Sequence, residues 1–364
     1  MSRLIKNTRS KLSQVSVPTG LAIATEWSWR LIVIAAALAL FSFIVSQLSF
    51  VVIPLLVALL LAAIVSPLHN LLLRWRLPRP LATLLSIVSL IGVVVAIFWT
   101  VISAISSNWS ALQERSFAVY QDFVNFLLQS PLAVSEAQIQ DWFEQFADNL
   151  DTSSLLSGAL SIGSSLGEFI VGLILALFAL IFFINDGERI WNFLLRLVPR
   201  NSKAAIDGAG NAGWGTFTSF VKAQVIVALI DAIGIGLGAW ILGLPLALPI
   251  ALIVFLGSFI PIVGAFVTGA LAIFVALVYQ GFTAALIMFA IVIVVQQVEG
   301  QILQPFIIGK SVRIHPLAVV LAVTIGAYLA GIPGALFAVP LLALVNVFIR
   351  YIASGSWKST TLDT

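Results

Sequence analysis

The sequence predicts an all-α polytopic membrane protein with about eight transmembrane helices, two of them broken by proline and glycine in the C-terminal half. Three observations lead there. Of the 364 residues, 61% are hydrophobic and 9% are charged. An ordinary soluble domain carries about 25% charged residues, so this chain cannot cover a water-soluble globule of its size. Five long runs contain no Asp, Glu, Lys or Arg: Leu31–Leu73, Pro80–Gln113, Phe169–Asn185, Ala232–Val298 and Ile314–Ile349. These runs lack the short alternating pattern of a membrane barrel, so helices must satisfy their backbone groups in lipid. The same observations exclude a soluble enzyme, a nucleic-acid-binding domain and a disordered chain. With no cysteine and only two histidines, His69 and His315, neither a metal site nor a cofactor is expected.

Residues 1–30 read as a basic cytoplasmic tail carrying Arg3, Lys6, Arg9, Lys11 and Arg30. The apolar stretch that follows is too long for a signal peptide and ends at no small-residue cleavage site. Residues 31–105 hold three transmembrane helices. As one helix, 31–73 would be about 65 Å long at 1.5 Å per residue, twice the membrane core. The chain must therefore turn near Gln47–Ser49, ahead of Pro54. His69 falls at the inner end of the second span and is expected as an interfacial residue rather than a ligand.

Residues 106–160 form an external acidic amphipathic segment. Between Ser106 and Glu168 lie eight acids against one base, Arg115, and Phe117, Tyr120, Phe123 and Leu127 follow helical spacing. Residues 161–184 make a fourth span. Residues 185–216 form a cytoplasmic amphipathic loop. Asn185-Asp186-Gly187-Glu188 reads as a helix start. Ile190, Trp191, Leu194, Leu195 and Val198 then give an apolar stripe beside Arg189, Arg196 and Arg200, as in a membrane-surface helix. Gly208, Gly210, Gly213 and Gly215 imitate a phosphate loop, but no strand precedes them and no Gly-Lys-Ser/Thr follows. Residues 217–351 are a core with broken helices, and 352–364 a cytoplasmic tail. Three basic clusters, 3–30, 74–79 and 189–222, all fall inside if both termini are cytoplasmic.

The core carries the functional signal. Its first span has Lys222 and Gln224 near the inner end, Asp231 near the middle, and Gly234, Gly236 and Gly238 beyond, where small residues let helices approach. Pro245–Val278 is broken at Ile260-Pro261-Ile262-Val263-Gly264, and Pro316–Arg350 at Gly331-Ile332-Pro333-Gly334. In each, a proline near the start precedes the break by about 16 residues. Proline removes a helix hydrogen bond and clashes with the preceding turn. Paired interruptions at matching positions point to a transport site, although two kinked helices without that role fit the same pattern. Between them, Gln296, Gln297, Glu299, Gln301 and Gln304 close an otherwise apolar helix, with Gln297, Gln301 and Gln304 on one face. An ionised residue at mid-membrane costs about 2.5–3.5 kcal/mol on insertion scales. Asp231 and Glu299 are therefore expected to face a polar interior or pair with a base, as coupling groups, as a fixed ion pair, or as side chains that reach the interface.

Taken in order, Gly243-Leu244-Pro245, Ile260-Pro261-Ile262-Val263-Gly264, Gln297-Val298-Glu299-Gly300 through Gln304-Pro305, Gly309, His315-Pro316-Leu317, Gly326, Gly331-Ile332-Pro333-Gly334-Ala335 and Ala338-Val339-Pro340 resemble the autoinducer-2 exporter family of PerM-type permeases. The resemblance spans nearly the whole chain and is most specific over 217–351. Two departures are Ala223 before Gln224, where the family often has glycine, and Pro333, where many relatives place leucine. The resemblance implies a multi-pass protein of the bacterial inner (plasma) membrane, with eight spans and both termini cytoplasmic. It further implies export of autoinducer-2 or sodium/proton antiport, and a homo-oligomeric ring, a pentamer.

On these grounds the expected function is export of a small polar solute, autoinducer-2-like, passive or driven by an ion gradient, since no ATP motif is present. Gln224, Gln296, Gln297, Glu299, Gln301 and Gln304 would line the solute path. Pro261, Gly264, Gly331, Pro333 and Gly334 would form helix breaks or gates. The alternative is a monovalent cation (Na+/Li+)/proton antiporter working through Asp231 and Glu299. An intramembrane protease finds neither a Gly-x-Ser-Gly nucleophile motif nor a zinc-ligand set, so no catalytic residue is named. A scaffold acting through the external segment is a further alternative.

Overall fold

The structure, a computed structural model, describes residues 19–129, 152–260, 263–303 and 315–355; the secondary structure among these residues is helical throughout. Two compact units divide the chain, residues 1–52 and 53–364. In the first, α1 (Thr19–Gln47) contains Ile23–Ile44, long and apolar enough to cross a membrane and with none of it buried. Arg30 pairs with Glu26 one turn away at 2.7 Å, so the two charges at the entrance of the apolar run offset each other. The helix ends at Gln47, and after Leu48 α2 (Ser49–Arg74) begins. This is where the length of the 31–73 run requires a break.

The second unit takes up α2 from residue 53. It continues with α3 (Arg79–Gln129), α4 (Thr152–Arg196), α5 (Arg200–Ile241), α6 (Ala247–Gly257), α7 (Val263–Gln280), α8 (Phe282–Val298), a π-helical turn (Glu299–Leu303) and α9 (Pro316–Ser354). Across the described residues seven helical segments are long and apolar enough to span a membrane; α6 and α7 are shorter apolar helices. The fold is that of an all-α polytopic membrane protein.

Within this unit α2, α3 and α4 pack through Ala58, Ala62, Ile87, Ala179 and Leu180. Thr83 donates to Asn185 Oδ1 at 2.8 Å, tying α3 to α4. The other side of α2, at Ala63, meets Phe217 and Val221 of α5 and Leu344 of α9. His69 is buried on α2 with Nδ1 unpartnered, and no group of three metal-ligating side chains occurs among the described residues. The largest core joins α5, α6, α7 and α8 through Ile235, Ala239, Ile250, Val254, Ala272, Ala276 and Met288.

The expected external segment begins as a continuation of the third span, because α3 runs unbroken to Gln129. The rings of Phe117 and Tyr120 lie 6.2 Å apart on it. Arg115 turns back to the core: it donates to the Tyr279 carbonyl at 3.2 Å, and its guanidinium sits 5.1 Å from the Tyr279 ring centre. The acids Glu136, Asp141, Glu144 and Asp148 lie outside the described residues.

The expected loop 185–216 is largely helical. Asp186 (φ −124°, ψ 17°) kinks α4 where the sequence reads as a helix start, and Arg189 pairs with it at 2.8 Å. The four glycines read as a false phosphate loop lie inside α5. Gly208 and Gly210 leave room for the rings of Tyr351 and Trp191, and Gly213 for Leu344. Trp191 Nε1 donates to Asp207 at 2.8 Å, joining α4 to α5.

The glycines after Asp231 bring helices together. A Cβ on Gly238 would stand 2.7 Å from Ile291 of α8, and one on Gly236 would stand 2.6 Å from the Ala251 side chain of α6. Gly236→Leu should therefore lower the thermal midpoint of the detergent-solubilised protein, overpacking costing about 1–3 kcal/mol. Gly215→Ala, whose Cβ would meet nothing within 4 Å, should be neutral or stabilising. Size-exclusion recovery after heating measures both.

Candidate functional site

The two interrupted stretches fold back on themselves. In a straight helix, residues eight apart are separated by about 12 Å. Gly326 and Gly334 of α9 nevertheless lie backbone against backbone, so that a Cβ on either would run into the carbonyl of the other. Val323 packs against Ala335 and Val339 across the same turn. The reversal occurs at Ala330 (φ −143°, ψ 20°) and Gly331 (φ 60°, ψ −142°). The second conformation is one that glycine adopts without a Cβ penalty. Pro333 starts the returning arm, where its missing N–H is no loss.

The first stretch repeats the device. Gly257 at the end of α6 and Gly264 at the start of α7 also touch backbone to backbone. Pro261 lies outside the described residues; Ser258, Phe259 and Ile260 carry the chain toward the turn. The C-terminal half thus contains two helical hairpins, α6–α7 and the two arms of α9, each closed at its neck by a glycine pair.

α5 supplies the wall on which the first hairpin rests. Gln224 and Asp231 lie seven residues apart, on one face of that helix. Gln224 Nε2 donates to the Ser258 carbonyl at 2.5 Å. Ser258 Oγ is 3.0 Å from Asp231 Oδ2 and 2.9 Å from the Val254 carbonyl, two acceptors for one hydroxyl proton. Asp231 is 1% exposed, and its other oxygen, Oδ1, has no hydrogen-bond partner. Among the described residues the ion pairs are Arg30–Glu26 and Arg189–Asp186, so neither engages Asp231.

Glu299, at the start of the π-helical turn, lies within electrostatic range of Asp231. Gln296 is half-buried with Nε2 unpartnered. Gln297 and Gln301 are exposed and hydrogen-bond to each other at 2.9 Å. Gln304 lies outside the described residues. The expected residues are therefore separated: Gln224, a path candidate, and Asp231, a coupling candidate, meet the first hairpin at Ser258, the π-helical turn that begins with Glu299 packs on α5, and Gln297 and Gln301 are exposed. His315 caps α9, its Nδ1 accepting from the Leu317 N–H at 3.2 Å.

The two hairpins meet at a small seam, at the tip of the first. Ile260, at the tip of the first, packs on Val323, Ala335 and Val339 of the second. Beside this contact is a cavity of about 10 Å³ lined by Leu60, Phe220, Val221, Gln224, Phe259, Leu336 and Pro340. That is room for one water at most, so the seam is shut. Gln224 is the polar residue of its lining. Ser258, Phe259 and Leu336 escape a reading of the sequence because they are ordinary members of apolar runs, and Pro340 enters it only as part of the Ala338-Val339-Pro340 motif. A serine three residues before Pro261 is the one available signal.

The AI-2E family transporter model covers residues 31–354. A protein of Mycobacterium tuberculosis (strain CDC 1551 / Oshkosh) named "Putative transport protein MT0215" is similar to this chain, 35% identical over 95% of each sequence. The AI-2 transport protein TqsA of Escherichia coli (strain K12) is 25% identical over 84% of this chain and 87% of its own length.

The glycine necks allow a sharp test. At Gly264 and Gly334 an added methyl meets backbone, which no rotamer change can relieve. Gly264→Ala and Gly334→Ala should each cost about 4 kcal/mol or more, the range of severe single substitutions. Monodisperse protein should be lost from both on size exclusion, whereas Gly300→Ala, with open space around it, should be retained.

Proposed function

This chain belongs to the AI-2E transporter family, and from that premise we propose that it exports a small polar organic solute, of autoinducer-2-like chemistry, across the bacterial inner membrane. The observation that carries the reading is the seam: two helical hairpins meet beside a half-buried glutamine, Gln224, at a cavity closed in the present arrangement. Hairpins bring non-helical backbone to membrane depth, which is tolerated only where it is covered by protein or lines a water-filled path. Opening the seam would bring Gln224 and the backbone around Ser258 into contact with a passing solute. Such groups suit an uncharged, hydroxyl-bearing molecule. The name of the E. coli relative supplies the solute class. Movement is passive or coupled to an ion gradient, and the working form is a homo-oligomer, a pentamer, with both chain termini in the cytoplasm.

A second reading, monovalent cation/proton antiport, is favoured by one specific observation. Asp231 is buried with an unpartnered oxygen, and Glu299 lies in electrostatic range. Such a carboxyl can hold a proton or a metal cation in turn.

Both readings are tested in proteoliposomes. Vesicles loaded with autoinducer-2 should release it saturably. Leu336→Trp, which fills the seam, should slow release at least tenfold, about 1.4 kcal/mol in the barrier, while assembly is unchanged. Release no faster than from protein-free vesicles removes the solute. In vesicles carrying a pH dye, a Na+ or Li+ pulse that moves pH in the parent but not in Asp231→Asn or Glu299→Gln establishes antiport; no cation-driven signal removes it.

A further inference from the structure

Both hairpins are closed at the neck by glycines, but they differ at the tip. The first is tied to α5 by two hydrogen bonds that converge on one residue. Gln224 reaches the Ser258 carbonyl at 2.5 Å, and the Ser258 hydroxyl reaches Asp231 at 3.0 Å. The second has no side-chain hydrogen bond at its tip among the described residues, and Ile332 there is 73% exposed. The residue next to Ser258 is Phe259, which lines the cavity together with Leu336 and Pro340 of the second hairpin. Holding Ser258 therefore holds Phe259.

We propose that Gln224, Ser258 and Asp231 form a polar latch that keeps the seam shut, and that Phe259 is the gate it holds. Gln224 and Ser258 are uncharged, and hydrogen bonds between membrane helices are weak. Their measured average corresponds to about threefold each in an equilibrium. Two such bonds bias the seam toward closure without locking it. Gln224 thus has a positioning role in addition to the solute contact proposed above. The inference rests on the seam being the transport path, but its test uses no solute.

The protein contains no cysteine, so Phe259→Cys places a single thiol in the seam of the full-length chain. In proteoliposomes, a membrane-impermeant methanethiosulfonate reagent should modify it slowly. Labelling follows the open population when opening and closing are fast relative to modification. Ser258→Ala or Gln224→Leu should each speed labelling about threefold, and the two together about tenfold, one interhelical hydrogen bond being lost at each site. Ala272→Cys, in the fully buried core of α7, should stay unmodified in every background.

An unchanged rate in the double variant overturns the latch. Equal acceleration at Ala272→Cys also overturns it, because that reports loosened packing rather than an opening seam. If Phe259→Cys fails to assemble, Leu336→Cys on the opposite wall carries the same comparison. Faster labelling without autoinducer-2 release leaves the latch and removes the solute. Normal release with unchanged labelling removes the latch alone.

Discussion

Two glycine pairs in backbone contact, Gly257 with Gly264 and Gly326 with Gly334, determine how the C-terminal half can be built. A helix that reverses inside a membrane must satisfy the carbonyls and N–H groups that the reversal releases, because lipid offers no partners. Glycine lets the two arms approach so closely that the necks leave no space to fill. The tip of the first hairpin then needs cover, and at Ser258 α5 provides it. Its 42 residues form a wall long enough to touch α6, α8 and α9, and Gln224 donates to the carbonyl that the end of α6 leaves open at Ser258. The glycine pairs let each stretch fold back on itself, and the tip of the first then meets the second at Ile260.

Small side chains on α5 serve the same end. Gly234 and Gly238 meet Val295 and Ile291 of α8, and Gly236 meets Ala251 of α6. Apolar burial gives little drive between helices in lipid, so close packing and a few hydrogen bonds must hold them together. At the other end of α5, Gly208 and Gly210 receive Tyr351 and Trp191. One helix thus carries sockets along its length: aromatic rings near the start, a hairpin tip in the middle, neighbouring backbones near the end.

The all-helical membrane class, the break after α1 and the positions of both Pro/Gly interruptions were legible in the sequence, because each follows from length, charge and backbone chemistry alone. That the interruptions are reversals was not. Proline and glycine announce that a helix stops, but Gly326 and Gly334 must touch before a kink can be told from a hairpin, and contact between residues eight apart is a property of three dimensions. The glutamine cluster shows the opposite difficulty. Gln297 and Gln301 share a face as their spacing requires, yet that face is exposed. Periodicity says which residues lie together and not what they lie against. Ser258 and Arg115 were missed for a third reason: their partners, Asp231 and Tyr279, lie 27 and 164 positions away.

Asp231 joins the two proposed readings of the protein. A carboxyl this deeply buried with one oxygen unpartnered is expensive, since an unsatisfied buried polar group costs about 1–3 kcal/mol. Asparagine or serine could hold the Ser258 hydroxyl without placing an ionisable group within electrostatic range of Glu299. What an aspartate adds is a change of charge when a proton or cation arrives, and its Oδ2 already contacts the hydroxyl next to Phe259. On the proposed reading, occupancy of Asp231 therefore alters the same contact that holds the gate. On that reading ion coupling and solute passage need no long relay between separate sites: one residue, Ser258, stands between the carboxyl proposed to sense the ion and the ring proposed as the gate.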